Sequence, residues 1–227
     1  MALMTPTRGE ALADQAYVAL RDAILSHQLP PGTRLSVPEM ARRLGISRSP
    51  AREAIARIAY EGLAQVEPNR GAVVSDLRPT DLVEIYNLRE VLEGLACRLA
   101  SQRVDERKLD RLSRILDEHA QAIAAEDLER HYELDLAFHA AIREFGESHR
   151  LVESLDRLQG QIRVAMYTTH RSPGGMPQAL AEHRVIFDAL ASGDPDRAEQ
   201  AGRAHVTRLL HDLERTAATQ RREQPES

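Results

Sequence analysis

Residues 38–63 read PEMARRLGISRSPAREAIARIAYEGL, and how this stretch folds decides the architecture of the chain's N-terminal part. Met40, Ala41 and Leu44 form the apolar stripe of a short helix that Ser36 is placed to cap and Gly45 to end. Ser47 or Ser49 then caps a second helix whose first turn tolerates Pro50. Ala51, Ala54, Ile55, Ile58 and Ala59 turn inward until about Glu61, and Gly62 lies at the C-terminal end. Two short helices joined at a glycine turn predict a helix-turn-helix. Upstream, Leu12, Ala16, Tyr17, Leu20, Ile24 and Leu25 recur at helical steps between Ala11 and His27, and LPPGT stops that helix before a short strand at Arg34-Leu35. Downstream, LAQVE and GAVVS flank Pro68-Asn69-Arg70-Gly71, which predicts a β-hairpin, the wing of a winged helix-turn-helix.

Arg48 and Arg52 stand four residues apart, hence on one helix face, beside Ser47 and Ser49 at the helix start. An Arg there reaches the N7 and O6 of guanine in a major groove, and the hydroxyls reach phosphate. The competing reading is a solvated charged face in which Arg52 or Arg57 pairs with Glu53 or Glu61. The helix-turn-helix and the basic hairpin tip around it favour the groove. The net charge of −5 hides a split: residues 1–78 carry ten Arg against eight acids, and the rest carries 20 Lys or Arg against 27 acids. Two parts with different partners fit that asymmetry.

Beyond Asp76–Thr80 the texture changes to long helical periodicity. The expected organisation is a DNA-binding domain and linker over 1–78, an all-α antiparallel bundle of six to seven helices over 79–219, and a frayed tail over 220–227. Helices are predicted at about 80–102, 105–125, 127–145, 148–169, 177–191 and 194–218. The fold class is thus mainly α. The single cysteine, Cys97, excludes an intrachain disulfide and reads as a buried helix residue. Apolar runs are broken by charges, and no signal peptide opens the sequence, so the expected location is the cytoplasm.

The bundle holds one stretch with chemistry in it, ELDLAFHAAI at 133–142. Asp135 and His139 lie nearly one above the other on a helix and suit one ion. His131 extends the same stripe, but it is eight residues from His139, about 12 Å along the axis, so one ion takes either His131-Asp135 or Asp135-His139. His183 and His205 sit in two further helical segments, and a bundle collects ligands from facing helices in this way. Three imidazoles and a carboxylate suit zinc first, with nickel or manganese as alternatives. For any one histidine, a hydrogen-bonded or surface role is the simpler reading.

The runs YVALRDAILSHQLPPGTRLS, PEMARRLGISRSPAREAIARIAYEGL and PNRGAVV resemble the GntR family of bacterial transcription regulators over about residues 11–75. The resemblance implies that Ser47, Arg48, Ser49 and Arg52 approach an operator and that Arg70 and Gly71 bring the wing to the minor groove. Some members carry a basic residue where this chain has Pro38, so no contact is expected there. Residues from about 80 to 212, through YNLREVLEGLACRLA, ELDLAFHAAI, LDRLQGQIR, EHRVIFDALASGDPDRAEQA and AHV, look like the ligand-sensing FCD domain of the FadR subfamily. That resemblance implies a divalent metal on Asp135, His139, His183 and His205, and leaves His131 as a surface or outer residue. At Glu147-Ser148-His149 many members have Asn followed by Pro, which puts the local turn in doubt.

The resemblance also implies a small organic acid at the open coordination positions, with Arg89 as a candidate partner for its carboxylate. For Arg89 an ion pair with Glu93 or Glu90 competes. A winged module reads only a few base pairs, so a homodimer on an inverted-repeat operator is expected. The expected function is a metabolite-responsive transcription repressor, not an enzyme. The alternatives are a metal-dependent enzyme on the bundle, for which no general base is evident, and a DNA-binding protein with a purely structural metal.

Overall fold

The computed structural model describes residues 8–67, 71–169 and 175–223. In its first part α1 (Arg8–Leu25) is followed by β1 (Arg34–Leu35), α2 (Val37–Leu44), α3 (Arg48–Tyr60), β2 (Ala64–Glu67) and β3 (Gly71–Val74). The expected hairpin is present, and β1 joins it to make an antiparallel sheet in the order β1-β3-β2. Leu35 faces Ala72 across one edge, and Ala64 faces Val74 across the other. Ala72 and Val74 alternate inward along β3 and meet Ile24, Leu35, Met40, Ala54, Ile58 and Leu63 in one core. Burying a side chain such as Ile58 contributes about 1.5–3 kcal/mol, so truncating it to Ala would open a cavity in the head. Gly71 has φ +93°, and a Cβ there would stand 2.9 Å from the carbonyl oxygen of Leu35, so the approach of β1 itself requires glycine.

Six helices follow: α4 (Pro79–Ser101), α5 (Glu106–Ala124), α6 (Leu128–Phe145), α7 (His149–Thr169), α8 (Gly175–Ala191) and α9 (Pro195–Glu223). The fold is mainly helical with one small sheet, as the sequence predicts. The chain divides into two compact units, one of Met1–Arg78 with Arg157–Arg171, the other of Pro79–Asp156 with Ser172–Ser227. Within the first unit Val164 of α7 joins the core, and Gln161 Nε2 donates to the Glu61 carbonyl at 2.9 Å, just past the end of α3. Helix α9 continues to Glu223, past the predicted helix end at about 218 and into the tail expected from 220, and residues 224–227 lie outside the described residues.

In the second unit Asp105 and Asp127 cap α5 and α6 by accepting from the N–H groups of Lys108 and Arg130. The turn after α6 places Glu147 at φ 52°, and its N–H reaches the Glu144 carbonyl at 3.1 Å, so the turn forms with Glu where the resembled family often has Asn. Phe138, Leu112, Ile142, Leu155, Ile186 and Leu190 fill the core. Helix α4 lies along α9 at close range: a Cβ on Gly202 would meet Cys97 Sγ at 2.7 Å. Cys97 is buried and free, as expected. Among the described residues no helix is long and apolar enough to cross a membrane.

Candidate metal centre and recognition helix

His139, His183 and His205 arrive from α6, α8 and α9, and one ring nitrogen from each lies within 4.8 Å of the others. All three are buried. Their placement follows from the core. Phe138, fully enclosed one residue before His139, stacks on the His183 ring at 4.4 Å with the planes 18° apart, so the apolar packing of α6 against α8 sets the ring. Asp135, one turn before His139, brings Oδ1 to 3.5 Å from His183 Nε2 and keeps 28% of its side chain exposed. It stands beside the three imidazoles without joining their mutual cluster.

The outer nitrogens of two ligand candidates face carboxylates. His205 Nδ1 is 2.7 Å from Glu182 Oε2, a distance at which N–H donates to the carboxylate and Nε2 keeps its lone pair. His139 Nδ1 faces Glu93 Oε2 at 3.8 Å, too long for a hydrogen bond but close enough for the charge to act. The Nε2 atoms of His139, His183 and His205 are buried with no hydrogen-bond partner. Three buried ring nitrogens without a protein partner are costly unless something engages them. A divalent ion fits that set, since zinc takes imidazole nitrogen at about 2.0–2.1 Å.

The electrostatics agree with such a site. Burial pushes His183 well below the ordinary histidine value, and it lowers His205 as well, so both rings are neutral near neutral pH. Burial acts to raise Asp135, but His139, His183, His205 and Arg89 outweigh it and hold the carboxyl at about 2. Glu93, also buried, is kept well below the carboxylate range by His139, Arg143 and Arg89. Arg143 Nη2 pairs with Glu93, and its Nη1 lies 3.3 Å from Asp156 Oδ1.

Arg89 is buried, with Nε 3.4 Å from Glu93 Oε1 and its guanidinium over the Tyr86 ring. The competing ion pair with Glu93 therefore exists. Burial disfavours its charge, yet Glu93, Tyr86 and Asp135 together hold the pKa above its ordinary value. Arg89 thus belongs to the same charged interior as Asp135.

His131 is not on the surface. It is buried, with Nδ1 2.6 Å from Nε2 of His119, and the His119 ring lies 5.6 Å from that of His183. His119, Glu93, Glu182 and Arg143 are the members of the site that sequence reasoning missed. For His119 a signal existed: it continues the buried stripe Leu112, Leu116 at helical spacing. The carboxylates meet their histidines from other helices, where no local pattern announces them.

In the first unit, Ser47 precedes α3 as its N-cap, and Ser47, Arg48, Ser49 and Arg52 are all exposed at its start. Among the described residues neither Arg48 nor Arg52 has an ion-pair or hydrogen-bond partner. Arg57 instead pairs with Asp14 and stacks over Tyr17 at 4.1 Å, and Glu61 takes Tyr17 and Arg21. The structural arginine and the free ones are thus separated along one helix. Gly71 opens β3, and Arg70 lies outside the described residues.

Comparisons with known proteins agree with this organisation. Residues 12–74 match the bacterial regulatory proteins of the gntR family, and residues 84–208 match the FCD domain. An uncharacterized HTH-type transcriptional regulator in an unstable DNA locus of Streptomyces ambofaciens is 32% identical over 95% of this chain and 90% of its own length. The HTH-type transcriptional repressor RspR of Escherichia coli K12 is 29% identical over 91% of this chain and 90% of its own. The solved structure of E. coli McbR/YncC shares the fold, with TM-score 0.74 and 22% identity over 94% of this chain and all (100%) of that one. The chain belongs to the GntR family of bacterial regulatory proteins, carries an FCD domain, and is a DNA-binding transcription regulator and not an enzyme.

Proposed function

We propose that the protein is a metabolite-responsive repressor, working in the cytoplasm, that binds an inverted-repeat operator as a homodimer. Ser47, Arg48, Ser49 and Arg52 enter the major groove from α3, and Arg70 and Gly71 bring the wing to the minor groove. His139, His183 and His205 hold a divalent ion, zinc first and nickel or manganese as alternatives, with Asp135 as the carboxylate beside them. The observation that carries the sensing half is the cluster of three buried imidazoles, each with an unpartnered Nε2, that bring one ring nitrogen apiece within 4.8 Å of one another.

When bound, such an ion supplies a Lewis-acidic anchor for the carboxylate of a small organic acid. Arg89, charged and already in the interior with Asp135, exchanges part of its contact with Glu93 for that carboxylate. Glu182, accepting from His205 Nδ1, would leave Nε2 of that ring to hold the ion, and the Glu93 carboxylate stands 3.8 Å from His139 Nδ1. An acid that binds the operator-free state more tightly releases the DNA, and operator and acid weaken each other reciprocally. The repressor named among its relatives supports this direction of output.

The test combines two measurements. Duplexes selected from a random pool are read for an inverted repeat, and chelator-treated protein is titrated with zinc, nickel and manganese by calorimetry. The expected result is a palindromic site and saturable metal uptake, with operator anisotropy shifted by an acid from a carboxylate panel. Failure to enrich any duplex overturns the DNA half. A chelator-treated protein that takes up none of the three metals overturns the sensing half.

A further inference from the structure

We propose that Gln161 of α7 is a positioning residue for DNA reading: it holds the C-terminal end of α3 and so sets the angle at which Arg48 and Arg52 are presented. The proposal rests on the reading of α3 as the recognition helix. It gives part of that task to a segment outside residues 12–74, the stretch that matches the gntR family. Residues 157–171 nonetheless belong to the same compact unit as the head.

Four consecutive residues, from the last of α3 onward, meet one face of α7. The Arg157 guanidinium lies 4.9 Å over the Tyr60 ring. Gln161 Nε2 donates to the Glu61 carbonyl at 2.9 Å. A Cβ added to Gly62 would collide with the same amide, so Gln161 lies directly on the Gly62 backbone. A Cβ added to Gly160 would stand 3.2 Å from Leu63 Cδ2, so α7 comes close to Leu63 where it carries no side chain. Arg157, Gly160, Gln161 and Val164 recur at three- and four-residue steps, one stripe of a helix, and Val164 is buried in the same core as Ile58.

The amide bond ends on the backbone of α3, which is what makes it a positioning contact. A helix leaves its last carbonyls without intrahelical partners, and a donor held against that end fixes where the end lies. The Glu61 side chain is engaged separately, with Tyr17 and Arg21 of α1, so α1 and α7 hold the end of α3 by different groups. Helix α3 has 13 residues, which makes it about 20 Å long. Such a rod turns as a unit on its buried face of Ala54, Ile55 and Ile58, so a displacement at Glu61 reappears at Arg48 and Arg52. Loss of the Gln161 amide leaves those core residues in place, which separates reading from folding.

Anisotropy on the full chain tests the role, with a duplex selected from a random pool and a scrambled duplex of the same composition. Gln161→Met keeps the bulk and removes the donor, and Gln161→Glu sets a carboxylate against the Glu61 carbonyl. Both are expected to bind the selected duplex more weakly by roughly fivefold or more, the loss of one base contact. Both are expected to bind the scrambled duplex as wild type does and to melt close to wild type. Arg157→Ala repeats the test from the neighbouring contact, with the same loss expected, should the Gln161 variants fold poorly. Arg48→Ala runs beside them. If Arg48→Ala weakens binding to the selected duplex and the folded Gln161 variants do not, the positioning role is overturned and α3 keeps its own. If none of them weakens it, the reading of α3 fails and the proposal fails with it. Gln161 variants that lose both duplexes in equal measure, with lowered melts, would show a residue that serves folding alone and would also overturn the proposal.

Discussion

Glu182 accepts from Nδ1 of His205 at 2.7 Å, one residue before the ring of His183 that shares the cluster with His205. Helix α8 therefore supplies one imidazole directly and orients a second through a carboxylate. The same Glu182 is tied to Gln178 and Arg208, so its own position is fixed. Fixing an outer nitrogen in this way typically changes metal affinity by about 10–100-fold.

Glu182→Ala is accordingly expected to weaken zinc binding by roughly tenfold or more, and Glu182→Gln, which keeps an acceptor, by less. Competition against a chromophoric chelator measures both. Equal affinity in wild type and Glu182→Ala would mean that Glu182 serves α8–α9 packing and not the centre.

The metal-free protein should lose stability as acid is added, and the sign follows from burial. His183, His205 and His119 have folded pKa values below the ordinary 6.5 because burial disfavours the imidazolium. The unfolded chain therefore takes up protons near 6.5 while the folded chain does not, so their contribution is full above 6.5 and falls as the pH drops toward the folded values. Glu93 adds to the loss below the ordinary 4.5, since its folded pKa is well lower. Calorimetric melts in chelator should be level above pH 6.5 and decline below it. A level profile down through 6.5 would mean that the folded rings take up protons as readily as those of the unfolded chain.

How much of this was legible depends on whether an interaction is local. Met40, Leu44, Ala54, Ile55 and Ile58 announce α2 and α3 by spacing, and Pro30, Pro31 and Gly32 announce the turn before β1, because helix faces and turns are decided within a few residues. The shared helix face of Asp135 and His139 was legible for the same reason, as neighbours four apart, while the cluster of ring nitrogens forms from His139, His183 and His205 without Asp135. The choice against His131 was open on geometry, and the structure gives His131 a different partner, His119, from α5. Glu93 and Glu182 were not legible as parts of the centre. Each meets its histidine across a helix-helix contact, and such a pairing depends on tertiary packing that no window of sequence contains.

Gly202→Ala should destabilise the second unit by about 1–3 kcal/mol, the usual cost of overpacking. The added Cβ would stand 2.7 Å from Cys97 Sγ and 3.2 Å from the Glu93 carbonyl oxygen. Removing the sulfur relieves the first of these contacts, so Cys97→Ala and Gly202→Ala together should cost less than the sum of the single changes. Urea melts of the four proteins give the coupling. Additive effects would place the cost in the backbone contact with Glu93.

Arg48 and Arg52 are predicted to matter for DNA and not for folding. Both are exposed at the start of α3 and partnerless among the described residues, whereas Arg57, one turn and a residue beyond Arg52, is engaged with Asp14 and Tyr17. Replacing a base-reading arginine costs about 1–3 kcal/mol on the preferred sequence and relaxes the preference at that position, while losing a phosphate contact weakens all sequences alike and flattens the salt dependence. Arg48→Ala and Arg52→Ala should therefore melt like wild type and bind the selected operator at least several-fold more weakly. Arg57→Ala should instead lower the melting temperature, because it leaves Asp14 and the Tyr17 ring without the cation between them. Anisotropy at two salt concentrations separates base reading from phosphate contact for each arginine. Unchanged operator affinity in both the Arg48 and Arg52 variants would move the recognition surface off α3.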